Sequence, residues 1–178
     1  RSRQPALAAS AGFFEDELLM LANTLAATSA GAIKLWRGDA AVQPQGLAVV
    51  AASGPSIEQA IPFLRANRSS LTLISAGTGI GSLLNNGLVP DLHCEIENQA
   101  VTEEALLPFA ARGQLADIPL VCSTTTAPEV TRHFRRRYYF FRPGSIAAPA
   151  FGASDRTIDH ALPTVANLAA RLAIALGA

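Results

Sequence analysis

The chain has 178 residues, enough for one domain with a real core, and 49% of them are hydrophobic while only 16% are charged, which excludes a disordered polymer. Fourteen Lys and Arg balance 14 Asp and Glu, so the basic excess of a nucleic-acid binder is missing and no nucleic-acid partner is expected. Cys94 and Cys122 both sit in apolar runs and read as buried thiols, with neither a disulfide framework nor a structural metal behind them. With no uninterrupted apolar stretch of membrane-spanning length and no signal peptide, the expected setting is a reduced cytoplasm without membrane insertion.

The chain starts at Arg1 with no initiator Met and stops at Ala178 straight after an apolar helix-like run, so it reads as a piece of a longer protein. Residues 1–45 are taken as an N-terminal helix and linker. Within them Phe13 to Ser29 carries Phe14, Leu18, Leu21 and Leu25 at spacings of three and four, with Glu15, Asp16 and Glu17 in the first turn. That is the pattern of an amphipathic helix whose acids sit at the favourable end. A Gly/Pro/Gln loop with the lone Trp36 follows.

From Gly46 onward apolar runs alternate with turns and helical periodicity. Leu47 to Ala52 suits a strand buried on both faces, broken by Ser53-Gly54-Pro55-Ser56, with Ser56 as the expected N-cap of a helix through Ile57, Ile61 and Leu64. Leu71 to Ala76 reads as a strand, Gly77-Thr78-Gly79 as a turn, and Ile80 to Asn86 as a helix ended by Gly87. Leu92 to Ile96 is a strand, Thr102 to Arg112 helical, Ile118 to Cys122 a strand, Pro128 to Arg136 helical and Tyr138 to Phe141 a short aromatic strand. Arg142 to His160 has no periodicity and reads as a long functional loop; Thr164 to Leu176 is an alanine-rich helix. The alternation predicts an α/β, Rossmann-like fold: a mostly parallel sheet with helices on both faces, and a ligand beyond the carboxyl ends of the strands at a switch in strand order. The turns at 53–56, 77–79, 97–100 and 123–127 then share one rim.

Several positions on that rim carry chemistry. Gly54 lets backbone approach a ligand and the helix after it offers free amides to an anion, although the same four residues also make an ordinary tight turn. Gly77 and Thr78 form a second small-residue turn, and two on adjacent strands favour a nucleotide or sugar-nucleotide site. His93, Glu95 and Glu97 share a strand face and are either metal ligands or a polar edge, and the polar edge is preferred. Asn98 and Gln99 stand just past that strand. Ser123 to Thr126 are ligand hydroxyls or helix caps. The basic cluster Arg132, His133, Arg135, Arg136 and Arg137 either complements a helix dipole or attracts an acidic partner. His160 is a general acid–base candidate or a bystander, and no catalytic residue is assigned.

Ala48 to Ile57 resembles the apolar strand and G-P-S-L turn of the motility-accessory-factor (Maf) glycosyltransferases, proposed to attach nonulosonic acids to flagellin. The likeness runs through Ser75-Ala76-Gly77-Thr78, Leu84 to Asp91 and Thr164-Val165-Ala166-Asn167, covering Gly46 to the end in motif order. That family in turn resembles bacterial sialyltransferases. The resemblance implies that residues 46–178 bind a CMP-activated sugar as substrate, with no tightly bound cofactor and with flagellin as acceptor. Gly54, Pro55, Ser56, Gly77, Thr78, Thr164 and Asn167 match its nucleotide-contacting positions, and its strand-end acid falls in Glu95-Ile96-Glu97-Asn98. The family continues with a further strand and a G-x-D-like segment, so the 178-residue piece alone is expected to lack transferase activity. The same domain type resembles archaeal pterin pyrophosphokinases, which use ATP and magnesium. That is one alternative; a non-catalytic flagellin-binding domain is another.

Overall fold

In the computed structural model, residues 14–29, 31–37, 42–44 and 46–177 are described. Five of the apolar runs become strands β1 (Leu47–Ala51), β2 (Leu71–Ala76), β3 (Leu92–Glu95), β4 (Leu120–Ser123) and β5 (Arg137–Phe140). Every neighbouring pair is parallel, and the order in space is the order in sequence. β2, β3 and β4 are buried at every position, which is why their sequences are continuous apolar runs rather than alternating ones.

Alternate residues feed two cores. Leu71 and Leu73 pack with Ile57, Ile61 and Leu64 of α2 (Ser56–Ala66), and with Leu83 of α3 (Gly79–Asn85). Farther along the same face Leu120, Cys122 and Tyr139 meet Phe109 of α4 (Leu107–Ala110) and Val130 of α5 (Pro128–Thr131). The opposite face gathers Ile74, Leu92, Cys94, Val121 and Phe140 under Leu168, Ala169 and Leu172 of α7 (Val165–Ala175). The two free thiols therefore point into different cores, and both are buried. Burial pushes both thiols up, so they stay protonated. The outer edge of β5 is covered by the 34–36 segment: Trp36 N–H donates to Tyr139 O and Tyr139 N–H to Lys34 O, each at 2.8 Å. That pairing blunts an edge otherwise open to another chain.

Four sequence expectations are corrected here. The predicted helix over Thr102 to Arg112 is a 3-10 segment, Ala100–Ala105, followed by the single turn α4, since Pro108 has no N–H with which to continue a ladder. The helix over Pro128 to Arg136 stops at Thr131, because the chain must reverse and enter β5 at Arg137. The long 142–160 loop contains one helical turn, α6 (Ala147–Ala150), and a bridge between Phe141 and Thr157. No reversal of strand order occurs among the five strands; the second face is covered by α7, which crosses back over β1, β2 and β3, with Trp36, Val42 and the 158–162 segment beside it.

The helix α1 (Phe14–Ser29) forms, but its apolar stripe does not face the domain. Phe14, Leu18 and Leu25 are 65%, 50% and 49% exposed, while Met20, Asn23 and Thr24 are buried. Polar satisfaction decides the orientation. Asn23 Nδ2 donates to the carbonyls of Asn98 at 2.8 Å and Thr125 at 2.9 Å, and Thr24 meets the Thr124 hydroxyl at 3.2 Å. Leaving the buried Thr125 carbonyl unpaired would cost about 1–3 kcal/mol, with a smaller cost at the half-buried Asn98 carbonyl. Phe13 lies outside the described residues.

Candidate functional site

Because β1, β2, β3 and β4 are parallel neighbours, the turns after them lie along one edge of the sheet. A cavity of about 630 Å³ opens on that edge beyond β1, β2 and β3, a size typical of small-molecule sites. The turns at Ser53 and at Gly77-Thr78 form one side, the 3-10 segment with Thr102 and Glu104 another, and Val165 at the start of α7 a third. Glu95, Glu97 and Gln99 line it from the end of β3.

Two glycines explain how the wall is built. Gly77 has φ +54°, and a Cβ there would lie 3.2 Å from Val165 Cγ1, so the turn holds the start of α7 at close range. A Cβ on Gly79 would lie 2.7 Å from the carbonyl carbon of Ala52 and 2.8 Å from the carbonyl oxygen of Ala51. Only glycine lets α3 begin directly against the end of β1. The start of α7 is fixed by a capping box in which Asn167 N–H donates to Thr164 Oγ1 at 3.4 Å and Thr164 N–H to Asn167 Oδ1 at 3.3 Å.

Glu95 is the chemically unusual group. It is 1% exposed, yet it lines the cavity. Its Oε1 accepts from the backbone N–H groups of Ile96 at 2.8 Å and Glu97 at 3.1 Å. Burial pushes its carboxyl up to about 7, against the pull of those two N–H donors. A carboxyl poised near neutrality in a cleft can give or take a proton at working pH. His93 is fully buried and stacks on Phe134 with ring centroids 5.3 Å apart; its Nδ1 lies 2.9 Å from Ser75 Oγ. Burial lowers it to about 4 and holds it neutral. Among the described residues no group of three or more His, Cys, Asp and Glu converges to hold a metal. Although His93, Glu95 and Glu97 alternate along one chain direction, His93 is sealed in the core and Glu97 is exposed.

The site residues read from the sequence divide. Gly77, Thr78 and Glu95 line the cavity, as does Ser53 of the first turn. Gly54, Pro55 and Ser56 are exposed beside it without lining it. Ser56 is not the N-cap: Pro55 holds that place, no side chain caps the helix, and Ile57 N–H closes a turn onto Gly54 O at 3.1 Å. Asn98 is half-buried and its carbonyl is taken by Asn23. Ser123 is fully buried, 2.8 Å from the Thr125 hydroxyl. Thr164 and Asn167 spend their side chains on each other and deliver Val165 to the wall. His160, exposed with φ +59°, does not line the cavity. Thr102 and Glu104 went unremarked because a stretch expected to be regular helix gives no reason to single out one polar side chain.

No curated protein matches the chain. It is similar to the solved structure of the Maf glycosyltransferase from Magnetospirillum magneticum AMB-1, with 30% identity and a TM-score of 0.79. That similarity covers 91% of this chain and 26% of the other, so the chain spans about a quarter of the length of the protein it matches. The family model described as "6-hydroxymethylpterin diphosphokinase MptE-like" matches residues 37–178. An all-parallel α/β sheet with a cleft on its carboxyl edge, and a family match running through every strand of that sheet, make this chain a member of the MptE-like family.

Proposed function

We propose that the chain is the donor-binding domain of a glycosyltransferase, taking a CMP-activated nonulosonic sugar destined for Ser or Thr hydroxyls of flagellin. The observation that carries this reading is the cavity bounded by Ser53, Gly77-Thr78 and the start of α7, on the domain similar to the Maf glycosyltransferase. Small residues at the two turns leave room for a nucleotide against bare backbone, and an 11-residue helix opens beside it. Within the cavity Glu95 is the group suited to move a proton, as the base that takes the acceptor hydroxyl's hydrogen. A thermal-shift series with CMP, CDP, UDP, GDP and ATP, each with and without magnesium, tests the reading. It expects a CMP-selective, magnesium-independent rise; equal shifts with every nucleotide, or none, would overturn it.

One observation favours a second reading, diphosphate transfer from ATP to a hydroxymethyl pterin. The cavity lining carries Glu95, Glu97 and Glu104 and neither Lys nor Arg. Carboxylates repel a bare phosphate chain but tolerate one that arrives with its own divalent cation. The family model bears the name of such an enzyme. An ATP shift that appears only with magnesium, and that chelation abolishes, selects this reading over the first.

A further inference from the structure

The cluster of arginines after α5 has no part in the cavity on the carboxyl edge. It instead lines a second cavity, of about 420 Å³, between the C-terminal half of α1, the 31–34 segment, α5 and β5. Its lining carries the guanidinium residues Arg132, Arg135 and Arg137 together with the small and apolar residues Ala26, Ala27 and Ile33. Glu129 is the one carboxylate among the lining residues.

Acids outside the cavity hold two of these arginines without using them up. Arg132 Nη2 donates to Glu103 Oε1 at 2.8 Å, and Arg135 Nη2 donates to Asp117. Each guanidinium has five N–H donors, so most remain for a ligand. Both arginines are largely exposed, at 62% and 69% of their side chains; the Arg135–Asp117 pair is exposed on both sides and weak, while Glu103, only 14% exposed, is shared between Arg132 and His133. Arg137 has no carboxylate partner among the described residues, whereas Lys34 turns its Nζ onto the Tyr138 ring, 4.5 Å away, on the opposite face of the sheet.

We infer that this cavity is a second binding site, for a small phosphomonoester whose phosphate meets Arg132, Arg135 and Arg137 and whose apolar body lies against Ala27 and Ile33. Forked guanidinium donors match phosphate oxygens two at a time. The volume fits a ring-sized organic phosphate and is too small for a folded partner.

Phenyl phosphate titrated into the 178-residue chain by calorimetry tests this. Saturable binding is expected, with inorganic phosphate weaker and benzyl alcohol silent. The exposed double variant Arg132→Gln/Arg135→Gln should lose about tenfold in affinity or more, since two charge-assisted contacts go, with an unchanged circular dichroism spectrum. If that variant fails to fold, Arg137→Gln gives the same reading with a smaller loss. Glu95→Gln should leave phenyl phosphate binding unchanged. No saturable binding, equal affinity for inorganic phosphate, wild-type affinity in the arginine variant, or a matching loss in Glu95→Gln would each overturn the assignment.

Discussion

The two halves of the carboxyl edge start from similar sequence material and end in opposite states. Beyond β1, β2 and β3 the small and hydroxyl residues frame an open cavity. Beyond β4 the run Ser123, Thr124, Thr125 and Thr126 is 0–1% exposed. There the hydroxyls bond one another and neighbouring backbone, and α1 seals them through Asn23 and Thr24. A hydroxyl cluster at a strand end thus marks a ligand site only when nothing else in the chain claims its hydrogen bonds. On the β4 side a helix from 100 residues earlier in the sequence does so.

The comparison breaks most visibly at Gly79. Gly79→Val should cost about 3 kcal/mol or more in urea unfolding, because backbone at 2.7–2.9 Å has nowhere to go. A loss under 1 kcal/mol, about the ordinary price of a surface change, would mean that the contact between α3 and β1 is loose.

Glu95→Gln tests the open half by its pH dependence. The carboxyl titrates at about 7 in the folded chain and at 4.5 unfolded, so the folded state binds the extra proton and Glu95 costs stability increasingly as pH rises from 4.5 to 7. His93 acts oppositely: lowered to about 4 from 6.5, it costs stability as pH falls through that window. The two slopes largely offset one another in the wild type. Glu95→Gln should gain about 2–3 kcal/mol above pH 7 and expose the His93 slope, unfolding progressively more easily from pH 6.5 to 4. A variant whose stability is flat across that range contradicts the buried neutral His93.

Asn23→Ala tests the sealed half. The buried Thr125 carbonyl and the half-buried Asn98 carbonyl lose their donor, so about 2 kcal/mol of stability should go while nucleotide affinity by calorimetry stays within twofold, a factor of about 0.4 kcal/mol. A large loss of affinity instead would join the two halves functionally.

The smallest effects belong to the turn that the sequence marks most clearly. A Cβ on Gly54 would meet only Ser56 Oγ, at 3.8 Å, and Ser56 caps nothing. Gly54→Ala and Ser56→Ala should each change stability by less than about 0.5 kcal/mol. Any loss of CMP affinity in them then reports ligand contact alone, and a folded Gly54→Val with wild-type affinity would reduce the turn to a connector.

The fold was legible because a parallel sheet writes its strands as apolar runs, and because Gly77, Gly87 and Pro90 punctuate them at short range. The short elements were not: whether Thr102–Arg112 winds as an α-helix depends on Pro108 and on packing against α5, and periodicity alone does not register either. Gly77 and Thr78 could be read as rim residues from strand–turn spacing, and Glu95 as a site residue only through the strand-end acid of the family it resembles. The concealment of Ser123 could not, since it depends on Asn23 and Thr24 in a helix whose apolar stripe, Phe14 to Leu25, pointed to the opposite face. The difference between Gly54 and Gly79 is likewise a matter of what lies opposite each in space.

The return of α7 to β1, β2 and β3 has a consequence for how the domain is made. Each strand pairs with its immediate successor, so the sheet can grow residue by residue as the chain leaves the ribosome. Its second face cannot. The core of Ile74, Leu92 and Cys94 is completed only when Leu168, Ala169 and Leu172 emerge, and the same helix supplies the last wall of the cavity through Val165. A nascent chain halted before that helix would leave part of that face bare and the cavity one wall short, and the arrival of one helix ends both conditions together.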